Sequence, residues 1–270
     1  VNAIIAKEVY LVKEIMQKLE KMSGNRPIEL VERKGEGKKL IEYYGDFVPE
    51  QWITAAGAES YLIMKGGDPQ APEATLDYSL RFMNPLAASM VGNYLRGVDR
   101  VMPMADGVAI QQHDCHYGRM TEILEFKGVP VYKVGVPADN VVGISQQYYR
   151  HELREFRDFL EKVVGHPLDE KAVHECYAKT NKINELVRKI GELRKKDNSP
   201  ITFSDFIRLN HYTLRVDYDT SIDALTKIYE ELKDAPGAHP EGAPRILIMG
   251  RAVAEGDYVV PSLIEAAGRK

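Results

Sequence analysis

The sequence predicts an α/β protein: a mostly parallel sheet with helices on both faces, a helical insertion, and the opening of a second sheet domain. Three observations carry this. Short apolar runs alternate with helical patterns between Lys38 and Val134. Amphipathic helical segments with no strand between them fill the middle of the chain. After a Pro/Gly-rich linker, Asp234 to Pro244, one more strand–loop–helix pattern begins.

The first segment reads as a helix, because Ile4, Ile5, Leu11, Val12, Ile15, Met16, Leu19 and Met22 recur at helical spacing. Gly24 with Pro27 is its expected stop. A charged stretch, Glu32 to Lys39, separates it from a strand at Leu40–Tyr44 and a short helix at Pro49–Ala56. A strand at Tyr61–Met64, a helix at Asn84–Leu95 and a strand at Val98–Met104 follow. Met120–Phe126 reads as a helix and Val129–Val134 as a strand. The helical middle comprises Gln146–Val164, Glu170–Arg194, Phe203–Leu214 and Ser221–Leu232. Arg245–Met249 is the last expected strand and Asp257–Ala267 the last helix. The implied division is 1–35 helix and linker, 36–144 first α/β domain, 145–234 helical subdomain and 243–270 start of a second α/β domain. One strand and one helix cannot bury a sheet, so that second domain reads as incomplete.

Composition narrows the function classes. Of 270 residues, 44% are hydrophobic and 28% charged, as in a soluble globular protein. A net charge of −4 leaves no basic footprint for nucleic acid. No apolar run reaches the roughly 20 residues of a membrane span. The first residues mix charge among apolar side chains and do not read as a secretory signal. Two cysteines, Cys115 and Cys176, exclude a disulfide framework and fit a reducing cytoplasm.

Ligands of open parallel sheets bind beyond the carboxyl ends of the strands. The loops Gly45–Glu50, Met104–Arg119 and Gly250–Asp257 qualify. The second is richest, with His113, Asp114, Cys115, His116 and Tyr117 in succession. It places Cys115 just before a helix, where the positive end of the helix dipole favours a thiolate. Cys115 is open to three readings: a small core residue, a metal ligand, or half of a Cys–His catalytic pair. Zinc is disfavoured, because His-Asp-Cys-His lacks the gap that lets two side chains converge on one ion. Cys176, within a helical stretch, reads as core. The chain carries no P-loop, no G-x-G-x-x-G and no G-x-S-x-G.

Four segments, in order, resemble the superfamily of 2-hydroxyacyl-CoA dehydratases and ATP-dependent benzoyl-CoA reductases. Gly45-Asp-Phe-Val-Pro-Glu-Gln-Trp-Ile-Thr-Ala-Ala-Gly57 is similar to its Val-Pro-Glu-Glu…Ala-Ala-Gly segment. Asn84-Pro-Leu-Ala-Ala-Ser-Met-Val-Gly92 is similar to its Cys-Pro-Leu-Ala helix start. Val98 to Pro103, running on to Asp114-Cys115-His116, resembles the approach to its second cluster cysteine. Pro244-Arg-Ile-Leu-Ile-Met-Gly250, with Gly256-Asp257, resembles the opening of its second domain. The resemblance implies two flavodoxin-like, doubly wound domains per subunit and a [4Fe–4S] cluster, or a shared or double-cubane one, held by three cysteines. It also implies a homologous sister subunit and an ATP-hydrolysing iron–sulfur activator, so that ATP is used by a partner. Carried across, Cys115 matches the second ligand, while Asn84 stands where the first cysteine belongs. An amide oxygen is a poor ligand where iron–sulfur sites use thiolate.

The resemblance puts first an aroyl-CoA reductase subunit acting on benzoyl-CoA by single-electron chemistry. A 2-hydroxyacyl-CoA dehydratase subunit, a cluster-free scaffold subunit and a double-cubane-type reductase are the alternatives. Its expected site comprises Cys115 as metal ligand, Glu50, His113 and His116 as proton-handling residues, and Asn84 and Tyr117 against the substrate. Arg81, Arg96 and Arg100 are candidates for CoA phosphates.

Overall fold

The computed structural model describes residues 2–139, 141, 143–239, 242–250 and 252–270, the side chains of residues 2–10 lying outside the description. The chain divides into two compact units, Pro27–Cys176 and Val1–Arg26 with Tyr177–Lys270.

The long first helix, α1 (Asn2–Gly35), does not stop at Gly24 and Pro27 as the sequence suggested. Pro27 sits inside it at the cost of one hydrogen bond, about 3 kcal/mol. Leu30, three residues on, is fully buried against Leu40 and Val101, which carries the helix past the proline. Ile4 and Ile5, which began the predicted stripe, have side chains outside the described residues.

The unit Pro27–Cys176 is a parallel α/β layer structure. β1 (Leu40–Tyr44) is followed by α2 (Glu50–Ala55), β2 (Glu59–Leu62), α3 (Gln70–Glu73) and α4 (Pro85–Leu95). Then come β3 (Gly107–Gln112), α5 (Cys115–Phe126), β4 (Val131–Gly135), α6 (Gly143–Val164) and the first turns of α7 (Glu170–Leu193). The sheet order is β2-β1-β3-β4, every pair parallel. Successive strand residues alternate between faces. Val108 and Ile110 pack with Met90, Val91, Met120 and Leu124 of α4 and α5. Ile41, Tyr43, Ala109 and Val134 pack with Ile53 of α2 and Phe156 and Leu160 of α6.

The expected strand at Val98–Met104 is instead a turn ending in a 3-10 helix at Met102–Met104. Gly97 takes the left-handed conformation at φ 68°. The Asp99 carboxylate then accepts from the Val101 and Met102 amides at 2.9 and 3.1 Å, folding the chain locally. The strand begins nine residues later than expected, at the buried Gly-Val-Ala-Ile. Its opening glycine has a steric reason: a Cβ on Gly107 would come within 2.6 Å of the Phe159 ring.

The other unit is helical. Leu19 of α1 and Ile183, Leu186 and Ile190 of α7 share a core with α8 (Phe203–Thr213) and α9 (Tyr218–Leu232). The last described element is a helix, α10 (Val259–Ala266). The expected strand Arg245–Met249 is irregular, with Leu247 81% and Met249 84% exposed. A strand forms by pairing, and among the described residues this segment has no neighbouring strand. The residues before α10 are pinned to α8 by buried His211. The Tyr258 hydroxyl donates to its Nδ1 at 2.7 Å, and its Nε2–H donates to the Val253 carbonyl at 3.1 Å. Burial pushes the His211 pKa down, which keeps the imidazole neutral. Arg215, itself buried, pairs with Glu255 at 2.5 Å.

Candidate functional site

The order β2-β1-β3-β4 reverses direction between β1 and β3, and such a switch point opens a crevice at the carboxyl ends of those two strands. The side chains gathered there come from the ends of β1 and β3, the starts of α4 and α5, and the first turns of α6.

β1 ends at Tyr44, and Gly45 turns the chain at φ 114°. β3 ends in Gln111 and Gln112, and Asp114 starts α5. The Asp114 backbone is extended, and its Oδ1 accepts from the His116 and Tyr117 amides at 2.9 and 3.2 Å. Such a cap is worth about 1 kcal/mol. Cys115 is therefore the first residue of α5, and it is exposed. Asn84 does the same for α4, its Oδ1 accepting from Leu86 and Ala87 at 2.9 and 3.3 Å.

The two helix starts are joined by a hydrogen bond. The Asn84 backbone amide donates to His116 Nδ1 at 3.2 Å. A backbone N–H can only donate, so His116 carries its proton on Nε2. On the other side of Cys115, His113 Nδ1 lies 3.0 Å from Gln111 Nε2, and the Phe47 amide donates to Gln111 Oε1 at 3.2 Å. His113 Nε2 lies 3.5 Å from Asp114 Oδ2.

An aromatic layer backs these groups. The Tyr44 and Tyr117 rings stack at 4.8 Å with their hydroxyls 2.6 Å apart. The His113 ring lies 4.7 Å from that of Tyr117. Phe47 meets Tyr149 of α6 edge-on at 5.7 Å, and the Tyr149 hydroxyl donates to the Phe47 carbonyl at 2.8 Å. Beside it, Glu152 accepts from the Gly135 amide at 2.8 Å.

The structure thus brings Asn84, His113, Cys115, His116 and Tyr117 to one edge of the sheet. Glu50 opens α2 after the carboxyl end of β1, and Ile53 of that helix packs on the opposite face of the sheet from α4 and α5. Sequence reasoning missed Tyr44, Phe47, Gln111 and Tyr149. The available signals were a glycine straight after a strand and two adjacent glutamines ending one. Of the arginines, Arg96 is engaged by Asp68, whose carboxyl it holds below the usual range, and by Gln70 at 2.7 Å. Arg81 points to Glu73 at 3.7 Å. Arg251, in the third candidate loop, lies outside the described residues.

A [4Fe–4S] cluster calls for several convergent thiolates. Among the described residues no three His, Cys, Asp or Glu side chains converge as a metal site. Asn84 Oδ1, at the expected first-ligand position, is committed to capping α4. Cys176 belongs to α7. The described residues therefore offer one thiol at this edge, which does not fit a cluster held by them alone.

A second concave region, of about 320 Å³, lies in the helical unit and is lined by Arg194, Arg245 and Lys270 among others. Its cations already have structural work. Arg245 donates to the Arg194 carbonyl at 3.1 Å, and Lys270 pairs with Asp197 at 2.9 Å. Among the described residues no helix is long and apolar enough to cross a membrane.

Comparison with known proteins bears on the same stretch of chain. The Escherichia coli (strain K12) protein named "Putative dehydratase subunit YjiM" is 23% identical over 245 residues, covering 89% of this chain and 63% of its own length. The chain thus spans less than two thirds of that relative. The family model of the 2-hydroxyglutaryl-CoA dehydratase D-component matches residues 47–269, which include β3, the capped start of α5 and both histidines. The chain belongs to the family of the 2-hydroxyglutaryl-CoA dehydratase D-component.

Proposed function

We propose that this chain is one subunit of a complex that removes water from a 2-hydroxyacyl-CoA thioester, with the crevice at the ends of β1 and β3 facing the reacting part of the substrate. The observation that carries this is the family match over residues 47–269. A dehydratase name on both the family and the relative supports dehydration ahead of the aroyl-CoA reduction that the sequence resemblance put first.

The elimination takes the hydroxyl from C2 and a proton from C3, leaving a 2-enoyl thioester and water. The departing hydroxyl and the thioester carbonyl both gain from hydrogen-bond donors. His113 and His116, on either side of Cys115, each use Nδ1 as an acceptor and carry an Nε2–H for this purpose, that of His113 lying 3.5 Å from Asp114 Oδ2 and turning to the substrate on binding. Asn84 borders the space where the acyl chain lies, and Tyr117, buried behind His113, supports that wall. Glu50 is assigned to proton handling from the α2 side. The D-component description supports a sister subunit as partner. Cys115, exposed at this edge, is the thiol this chain would contribute to a cluster completed by that subunit, and ATP hydrolysis is assigned to an iron–sulfur activator. A second reading, a scaffold subunit that positions a catalytic sister, is favoured by the commitment of Asn84 to its helix cap.

The complex, isolated anoxically through a tag on this chain, is to be given a 2-hydroxyacyl-CoA and benzoyl-CoA in parallel, with reductant and ATP. Loss of water from the hydroxyacyl substrate is expected. Turnover of benzoyl-CoA alone sinks the reading.

A further inference from the structure

β3 is apolar until it ends in a glutamine that is 8% exposed. A buried amide is costly, about 1–3 kcal/mol, unless both of its ends find partners. An apolar side chain would fill the same space without that requirement, so the fold alone does not call for Gln111. We propose that Gln111 is a positioning residue. It fixes His113 as the tautomer protonated on Nε2 and holds its ring beside Tyr117, presenting the Nε2–H to an acceptor on the bound thioester. This deepens the dehydratase reading and, for its functional part, rests on it.

The hydrogen-bond donors around Gln111 fix its orientation and the tautomer of His113. The Phe47 backbone N–H donates to the side-chain oxygen of Gln111 at 3.2 Å, which establishes which end of the carboxamide is oxygen. The NH2 end then faces His113 Nδ1 at 3.0 Å. An NH2 group only donates, so Nδ1 accepts and the proton resides on Nε2. The ring is braced from below by Tyr117, itself fully buried and joined through its hydroxyl to Tyr44. Room for the amide is made by Gly45. Its φ of 114° suits glycine, and a Cβ there would overlap the Gln111 side chain. The turn after β1 and the end of β3 are thus shaped around one hydrogen-bond relay, from the Phe47 amide through Gln111 to His113.

Gln111→Glu is the informative change, because it keeps the shape and removes the donor. One carboxylate oxygen still accepts from Phe47, but the other can only accept, so His113 must carry a proton on Nδ1. The chain, with histidine nitrogens labelled and His113 assigned by loss of its signals in His113→Asn, is to be compared by nitrogen–proton correlation spectra at about pH 8, where free imidazole is neutral. Wild type is expected to show an unprotonated Nδ1 and a protonated Nε2 at His113. In Gln111→Glu, Nδ1 is expected to become protonated while the unfolding midpoint read from Trp52 fluorescence stays in place. In the complex, kcat on the 2-hydroxyacyl-CoA is expected to fall at least about tenfold with KM unchanged. A protonated Nδ1 in wild type, or an unchanged tautomer in the variant, overturns the relay. A changed tautomer with unchanged kcat overturns its positioning role. If the wild-type complex does not turn over the hydroxyacyl thioester at all, the dehydratase reading falls, and the spectra still decide whether Gln111 sets the tautomer.

Discussion

Gly92→Ala is expected to destabilise the sheet unit by about 3 kcal/mol or more, at the upper end for overpacking. Gly92 lies on the buried face of α4, where the helix meets α3. A Cβ there would fall inside the van der Waals envelope of the Ala71 carbonyl oxygen, carbon and Cα. These are backbone atoms and cannot rotate away, so one helix must move. α4 is anchored by Ala87, Met90 and Val91 in the core, so displacement of α3 and the segment leading to Asn84 is the expected response. For a unit of this size each kcal/mol lowers Tm by about 2–4 °C, which gives a drop of about 6–12 °C. The single tryptophan, Trp52, belongs to this unit and reports its unfolding by fluorescence. A midpoint within experimental error of wild type contradicts this packing.

Phe156→Ala is expected to cost about 3–5 kcal/mol, as do other truncations of fully buried aromatic residues. Phe156 has no exposed surface and joins α6 to the sheet. Its ring lies 6.5 Å from Trp52, 5.5 Å from Tyr132 and 6.1 Å from Phe159. Burial together with the carboxylates of α6 pushes the Tyr132 phenol up to about 12, so that it stays protonated within this cluster. The same helix carries Tyr149, which holds the Phe47 loop beside Gln111. The variant is therefore expected to show both a lower urea midpoint and an altered Trp52 emission spectrum in the folded state. An unchanged spectrum contradicts the stacking of Trp52 on Phe156.

These positions also show how far the sequence is legible. Alternating apolar runs and helical patterns reveal the parallel α/β class, and β1 is readable to the residue, because Leu40–Tyr44 is a run of large apolar residues broken only by Glu42 before a glycine. β3 is not. Gly107 interrupts its apolar signal where Phe159 of α6 packs close, whereas Val98–Met104 looks like a strand but is folded into a turn by Asp99. Arg245–Met249 carries strand-forming residues, and pairing, which sequence does not display, decides whether they become a strand. At the site, the loop around Cys115 stands out because its residue types are chemical ones. Tyr44, Phe47, Gln111 and Tyr149 do not, because their roles arise from strand order and from contacts 64 to 102 residues apart in the chain. Asn84 looked like a lost ligand; the structure shows what it does instead, which is to cap α4.

The role of Cys115 is decided by the turnover of a 2-hydroxyacyl-CoA by the anoxic complex carrying Cys115→Ser. Cys115 is exposed at the start of α5, between two histidines whose tautomers are set by neighbouring donors. Serine preserves the size of that side chain and the Asp114 cap. Turnover is expected to fall at least about a hundredfold, equivalent to about 2.7 kcal/mol in the barrier, with the Trp52 unfolding midpoint unchanged. Wild-type turnover by the serine variant would contradict that role.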